Sequence, residues 1–248
     1  MKAIFLSDAH LKRGSQESYR KLNRFFDLLI EGTPIDCLAN INDLFILGDF
    51  FDFWFSKNDL IYPEFEPIIG KLVKLKETGV HIHFCEGNHD FSLKSFFLDK
   101  LGMDVYTEFA DVTWDGKKIF LSHGDTIDPN NRGYLLLRNF LRSPFWVALQ
   151  RYMPLRLTWK LAAISSNMSK EFSDEAGDDI AVKMEAFSMQ KFRKGFDAVI
   201  FGHCHKPVLK EYYVDGKIRI FATLGDWIKH FSYLHYKNGQ FTLCYYKN

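Results

Sequence analysis

Five short apolar runs in this chain each end directly in a group of Asp, His or Asn residues. The polar groups read SDAH, GDFFD, GNHD, SHGD and GHCH, and they fall between residues 7 and 205. In α/β sheets, ligand sites gather outside the carboxyl ends of the parallel strands. The pattern therefore predicts strands whose ends bring these side chains to one crevice.

The segments around these groups alternate between strand and helix patterns. KAIFLSD, DLFILGD and VHIHFCEGNHD predict buried strands, while SYRKLNRFFDLLIEG and PIIGKLVKLKETG predict helices that close at Gly32 and Gly79. Asp-Gly and Asn-Gly pairs predict hairpin turns, one of them at Asp115-Gly116. We expect residues 1–248 to form a single domain, a layered α/β sandwich.

Composition limits the classes of function. The chain has 248 residues, 47% of them hydrophobic, and a net charge of +1, so a soluble globular protein without a general attraction for nucleic acid is expected. Four cysteines without a C-x-x-C pair favour a reduced, cytosolic protein. The first apolar run stops at Asp8, which argues against a secretory signal. No apolar stretch reaches about 18 residues, so any membrane contact would be peripheral.

Residues 129–170 differ in composition from the rest of the chain. They contain seven basic residues and no acidic one, interleaved with Leu, Phe, Tyr and Trp. We interpret this segment as a helical lid inserted between two strands of the main fold. Two roles remain open for its apolar side: contact with a membrane surface through residues 132–160, or packing on the sheet as a cap.

The residue types at the five strand ends are typical of transition-metal ligands. Carboxylate oxygens and imidazole nitrogens together suit Mn, Fe, Zn or Co, and there are enough of them for two ions. A carboxylate such as Asp49 has two oxygens and can bridge two ions about 3.5–4 Å apart. Such a pair clamps the attacking and leaving oxygens of a phosphate displacement and activates a bridging water as hydroxide.

The spacing of the two histidines in the group GHCH has a geometric interpretation. In an extended segment His203 and His205 point to the same side, so each would reach one of two neighbouring ions. Gly202 would let the backbone approach the site. His81 and His83 have the same spacing but lie inside a strand, before its polar end, and we predict that they are strand-face residues.

The ordered pattern D-x-H, G-D-x-x-D, G-N-H-[DE], H, G-H-x-H resembles the calcineurin-like metallophosphoesterase superfamily. The resemblance implies a four-layer α/β/β/α sandwich and two divalent ions, with manganese as the first choice. The implied ligands are Asp8, His10, Asp49 and His205 for one ion, and Asp49, Asn88, His123 and His203 for the other. His89 would contact the phosphate or protonate the leaving oxygen, and Asp90 would orient His89. Asp52 and Asp125 would support the ligands.

Within that superfamily, the segments GDFFDFW, LSHGDTIDPNNRGYLLLRNFLR and AISSNMSKEFS resemble the UDP-2,3-diacylglucosamine diphosphatase family of lipid A synthesis. This resemblance implies cleavage of the pyrophosphate to UMP and an acylated sugar 1-phosphate. It places the protein on the cytoplasmic face of the inner membrane, with the lid receiving acyl chains. The implied substrate contacts are Asn88, His89, Asn131, Tyr134, Ser166 and Lys170.

One residue departs from that diphosphatase family, whose members read G-N-R-D where this chain has His89. Arginine binds phosphate through two N–H groups but keeps its proton, whereas histidine can bind phosphate and release a proton near neutral pH. Alternatives therefore stay open: a phosphodiesterase or phosphatase acting on another lipid-linked or nucleotide substrate, or a metal-bound scaffold without turnover. The presence of every expected ligand disfavours the scaffold, and the oligomeric state is left open.

Overall fold

A computed structural model describes residues 1–12, 14, 16–32, 40–54, 60–146, 148 and 173–247, without the side chains of 173–177. The strands are Lys2–Leu6 (β1), Asp43–Leu47 (β2), His81–Cys85 (β3), Asp104–Tyr106 (β4), Phe109–Trp114 (β5), Lys117–Ser122 (β6), Ala198–Phe201 (β7), Pro207–Val214 (β8), Lys217–Leu224 (β9), Ser232–Lys237 (β10) and Gln240–Tyr245 (β11). The helices are Glu17–Glu31 (α1), Glu66–Glu77 (α2), Lys94–Phe97 (α3), Arg132–Leu141 (α4) and Ser173–Arg193 (α5), with a 3-10 turn at Pro63–Phe65.

The strands form two mixed sheets. The first has the order β11-β10-β1-β2-β3-β4, and β1 to β4 run parallel to one another. The second has the order β5-β6-β7-β9-β8, with β6, β7 and β9 parallel. The prediction of an α/β fold is confirmed. The finer prediction of four layers with an inserted lid stays a prediction, because much of segment 129–170 lies outside the described residues.

Strand β1 illustrates how the sequence builds the two sides of the first sheet. Alternate side chains of a strand point to opposite faces. Ile4 and Leu6 therefore pack with residues of α1 and α2, while Ala3 and Phe5 pack with residues of the second sheet. A strand buried on both faces reads as a continuous apolar run, which explains the pattern from which it was predicted. A third apolar cluster joins the second sheet to α5.

Turn residues close the elements where the sequence predicts. α1 ends at Gly32, whose left-handed backbone (φ 61°) lets its N–H bond the carbonyls of Leu28 and Leu29. Asp115 and Gly116 have φ values of 47° and 74° and form the tight hairpin between β5 and β6. Among the described helices, none combines the length and the apolar character needed to cross a membrane.

Candidate metal centre

The five polar groups follow β1, β2, β3, β6 and β7, so they gather at the carboxyl ends of parallel strands in both sheets. Contacts between the sheets join the two rims. The His203 N–H donates to Asp8 Oδ2 at 2.9 Å, and His123 Nδ1 lies 2.8 Å from the carbonyl oxygen of Leu47. The convergence that the strand pattern predicts is therefore present, and it requires both sheets.

Three groups of side chains at this rim have ligand atoms within 4.8 Å of one another. The first is Asp8, His10 and His205, the second is Asp49, His123 and His203, and the third, His10, Asp52 and His89, shares His10 with the first. Asp49 Oδ2 lies between the first two groups, 3.7 Å from His10 Nε2 and 3.6 Å from His123 Nε2. A single buried carboxylate oxygen thus faces both groups, which is the position that a bridging ligand requires.

The donor atoms of this cluster fit divalent cations. Asp8 Oδ1 is buried without a hydrogen-bond partner among the described residues, and it lies 3.4 Å from His205 Nε2. His10 Nε2 lies only 3.3 Å from the same His205 nitrogen, and Asn88 Oδ1 lies 3.0 Å from His123 Nε2. Buried polar atoms are normally paired. A cation would satisfy the unpaired oxygen, and carboxylate, amide and imidazole donors suit manganese, iron, zinc or cobalt.

The imidazole of His123 is oriented by its second nitrogen. Because the Leu47 carbonyl can only accept, Nδ1–H is the donor, and Nε2 is left to face Asp49 and Asn88. Burial lowers the pKa of His123, but the negative charges of Asp49 and of more distant carboxylates raise it to about 10 overall. Burial, with the charge of His123, lowers the pKa of His203 to about 4. A cation at this group would compete with a proton for His123 Nε2, because a metal-bound imidazole is deprotonated at the nitrogen that binds.

Five of the candidate ligands have left-handed backbone. Their φ values are 53° at Asp8, 43° at His10, 50° at Asp49, 65° at His203 and 56° at His205. Positive φ is uncommon for residues other than glycine, and such strain concentrates at functional sites. The prediction that His203 and His205 lie in an extended segment is therefore wrong. They reach different ligand groups because the loop turns sharply at each of them.

Gly202 occupies a position that a side chain could not share. A Cβ atom there would lie 2.8 Å from the Leu47 carbonyl oxygen and 2.9 Å from Asp8 Oδ2. Both distances are shorter than a normal contact, so the predicted close approach of the backbone at this glycine is confirmed. The other histidine pair differs, as predicted: His81 and His83 lie within β3, and His83 stacks on Phe45.

Asp90 connects the loops that follow β2 and β3. Its carboxylate accepts the backbone N–H groups of Asp49, Phe50, Phe51 and Gly87 at 2.7–3.1 Å. Burial and the neighbouring charge of Asp49 raise its pKa to about 7, although these N–H donors stabilise the ionised form. Asp90 thus holds together the two loops that carry the candidate ligands, and its predicted role in orienting His89 stays a prediction.

His89 is oriented by the loop after β2. Its Nδ1 lies 3.1 Å from the Asp52 carbonyl oxygen, and its Nε2 lies 3.9 Å from Asp49 Oδ2. The Asp52 carboxylate lies 3.7 Å from His10 Nδ1 and 3.2 Å from Lys12 Nζ, next to the ligands as the sequence predicts. His89 thus has one ring nitrogen held by backbone and the other directed at the candidate metal centre.

Asp125 connects the rim to α4. It accepts hydrogen bonds from the Tyr134 hydroxyl and from Arg138 Nε, and Asn131 caps the helix by accepting the Tyr134 N–H. Asn131 and Tyr134 are predicted substrate contacts, and that role stays a prediction. Ser166 and Lys170, the other two predicted contacts of this segment, lie outside the described residues.

Comparison with known proteins agrees with this geometry. A family model described as calcineurin-like phosphoesterase matches residues 1–207. A protein of Edwardsiella ictaluri named UDP-2,3-diacylglucosamine hydrolase is 32% identical over 232 residues, which cover 93% of this chain and 86% of that protein. A protein of the same name from Stutzerimonas stutzeri is 32% identical over 225 residues, which cover 90% of each chain.

A solved structure agrees with the fold. An archaeal phosphodiesterase superposes with a TM-score of 0.51 at 15% sequence identity, and the match covers 99% of this chain and 100% of that one. At this identity the likeness concerns the fold alone.

Proposed function

Because this chain belongs to the calcineurin-like phosphoesterase family, and so is a metal-dependent hydrolase of phosphoester or pyrophosphate bonds, we propose that its substrate is UDP-2,3-diacylglucosamine. Hydrolysis of the pyrophosphate would give UMP and 2,3-diacylglucosamine 1-phosphate. The relatives from Edwardsiella ictaluri and Stutzerimonas stutzeri, which bear the corresponding name, support this choice of substrate.

The observation that carries the proposal is the position of α4. One side of this helix bonds Asp125 beside the metal centre, while its other side exposes Leu136, Leu137 and Phe140 to 71%, 56% and 48%. Exposed apolar side chains grouped in this way are typical of binding surfaces. For α4, this exposure supports a binding role over an apolar side packed on the sheet. A substrate with a diphosphate and two acyl chains matches a charged rim that adjoins an apolar helix.

The charges at the rim support a dinuclear centre. We propose that Asp8, His10 and His205 hold one cation and that Asn88, His123 and His203 hold the other, with Asp49 shared. Manganese is our choice among Mn, Fe, Zn and Co. When bound, two such ions activate a water at neutral pH and stabilise the charge that develops on phosphate.

His89 is our candidate for proton transfer. Its Nδ1–H donates to the Asp52 carbonyl, so Nε2 is the nitrogen that faces the centre. A protonated ring would donate from Nε2 to a phosphate oxygen or to the leaving oxygen, and a neutral ring would accept there. Asn88 would contact the same phosphate, and Asp90 would act through the loop backbone that it holds.

We propose peripheral contact with the cytoplasmic face of the inner membrane, where the lipid substrate would lie. The basic residues of segment 132–160 give little support to membrane contact. Arg138 is only 8% exposed, and both Arg138 and Arg142 are paired with carboxylates of the protein. The support comes instead from the exposed apolar side chains of α4 and from Phe145, which is 69% exposed.

Incubation with UDP-2,3-diacylglucosamine and Mn²⁺ tests the proposed reaction. We expect UMP and the acylated sugar 1-phosphate, identified by mass spectrometry and by phosphorus NMR. Bis(p-nitrophenyl) phosphate serves as the parallel substrate. Cleavage of this simple diester without release of UMP from the lipid would reject the proposed substrate and leave the second candidate, another lipid-linked or nucleotide phosphoester. The specific observation that favours the second candidate is histidine at position 89.

The role of the α4 apolar side gives a separate prediction. Replacing Leu136 and Leu137 together by serine should raise the KM for the diacylated substrate roughly tenfold or more, since each buried leucine contributes about 1.5–3 kcal/mol. The rate on bis(p-nitrophenyl) phosphate should not change, because that diester has no acyl chain. Val182→Ser, an exposed site on α5, is the control. Equal losses on both substrates would contradict the assignment.

A further inference from the structure

The loop that carries Asn88 and His89 is closed on itself by a buried carboxylate. Glu86 begins the loop, is 4% exposed, and accepts the backbone N–H of Leu93 at 2.8 Å. Its own N–H donates to the carbonyl of Tyr106. Burial raises the pKa of Glu86 above its ordinary value, and the opposing effects of Arg142 and the N–H donors offset only part of this rise. The sequence pattern singles out the three residues after Gly87 and gives no role to Glu86.

Arg142, at the C-terminal end of α4, holds this loop from outside. Its Nη1 donates to Glu86 Oε2 at 2.8 Å and to the Thr107 carbonyl at 3.2 Å, and its Nη2 donates to the Gly87 carbonyl at 2.7 Å. The guanidinium also lies 5.1 Å from the centre of the Phe91 ring. The single side chain of Arg142 therefore contacts Glu86, Gly87 and Phe91 of this loop.

The contact with Gly87 bears directly on a candidate metal ligand. The carbonyl of Gly87 and the N–H of Asn88 belong to one planar peptide unit. Arg142 Nη2 donates to that carbonyl at 2.7 Å and so fixes the orientation of the peptide plane that precedes the Asn88 Cα atom. Asn88 Oδ1 lies 3.0 Å from His123 Nε2. A rotation of this peptide plane would move Asn88 Oδ1 away from His123.

The face of α4 that carries Arg142 also contacts Asp125, which lies close to His123 in the chain. Tyr134, Arg138 and Arg142 are spaced by four residues, so they lie on one face of the helix. The first two bond Asp125, which follows His123 by two residues. The sequence leaves this basic segment open between a membrane surface and a cap, but the spacing of four residues is itself a signal that these side chains share one polar face.

We propose that Arg142 is a positioning residue that presents Asn88 to the cation bound by Asp49, His123 and His203, so that α4 sets the affinity of this one metal position. The group of Asp8, His10 and His205 is held by the loops after β1, β2 and β7 instead. The inference rests on the proposed metal centre but not on the identity of the substrate.

Titration of metal-free protein with Mn²⁺ alone tests the inference. We expect the parent to bind two ions, and Arg142→Met to retain one of them while its affinity for the other falls roughly tenfold or more, the usual effect of losing a group that orients a ligand. The electron paramagnetic resonance signal of a coupled Mn²⁺ pair should be lost at concentrations that fill the parent. Arg132→Met, an exposed position on the same helix, should behave like the parent.

A second variant separates positioning from the burial of an unpaired charge. Arg142→Met leaves Glu86 buried without its partner, whereas the double variant Glu86→Gln, Arg142→Met does not. We expect the double variant to recover thermal stability and still bind the second ion weakly, because Gly87 remains without its donor. If it binds both ions as the parent does, Arg142 serves only to neutralise Glu86, and the inference is overturned. A parent that binds no Mn²⁺ would reject the metal centre itself.

Discussion

Replacing Asp49 by alanine should abolish phosphoester hydrolysis. The carboxylate is 2% exposed, and one of its oxygens lies within 4 Å of His10, His89 and His123. We expect the rate on bis(p-nitrophenyl) phosphate to fall at least about 10³-fold, since even one lost electrostatic contact at a reacting phosphate or carbonyl costs 10²–10³ in kcat.

The matching measurement is the number of bound metal ions. Metal analysis by emission spectroscopy after dialysis should give two ions per parent chain and at most one per Asp49→Ala chain. Asp43→Ala is the control, because Asp43 is a carboxylate of similar burial at the opposite end of β2, where it contacts His83. The control should bind two ions and remain active. Parent-like activity in metal-stripped Asp49→Ala protein would refute the dinuclear centre.

Adding one methyl group at Gly87 should have an effect nearly as large. A Cβ atom there would lie 2.2 Å from Asp49 Oδ1 and 2.4 Å from the Asp49 nitrogen. Neither atom can move freely, because Asp90 bonds the same nitrogen and the His89 N–H bonds the same oxygen. The bridging carboxylate must therefore shift, and displacements near 1 Å at a reacting centre cost about 10²-fold in rate. We also expect a loss of about 1–3 kcal/mol in the free energy of unfolding from overpacking.

Gly70→Ala is the matched control for that substitution. Gly70 lies within α2, is exposed, and has no atom within 4 Å of an added Cβ. The same change should therefore stabilise the protein by about 0.5–1 kcal/mol, because alanine favours helix over glycine. Urea unfolding and steady-state kinetics on both variants give the comparison. Full activity of Gly87→Ala would mean that the loops adjust without moving Asp49, and the tight packing assigned to this centre would be wrong.

Much of the fold could be predicted because it depends on local patterns. The apolar run before Asp8 predicts β1, the stripe ending at Gly32 predicts α1, and Asp115-Gly116 predicts the hairpin between β5 and β6. Each of these signals acts within a few residues: burial on both faces, helical periodicity, and tolerance of positive φ. Sequence reasoning also selected the side chains that converge at the rim, because parallel strands end together.

Contacts with partners elsewhere in the chain could not be predicted. Asp90 bonds the backbone of the loop after β2, about forty residues earlier. Arg138 and Arg142 read as surface charges in a basic segment, yet they pair with Asp125 and Glu86. Which carboxylate a cation meets is set by the packing of distant segments, and one sequence contains no local signal for it.

The sequence by itself determined which side chains stand at the ends of the strands and which metals their donor atoms suit. Only the tertiary structure decided how those side chains are directed. His203 and His205 adopt left-handed backbone, a conformation that costs free energy for residues other than glycine and persists where surrounding contacts hold it. Those contacts come from the opposite sheet, as when Asp8 accepts the His203 N–H, so the direction of the ligands exists only once both sheets have packed together.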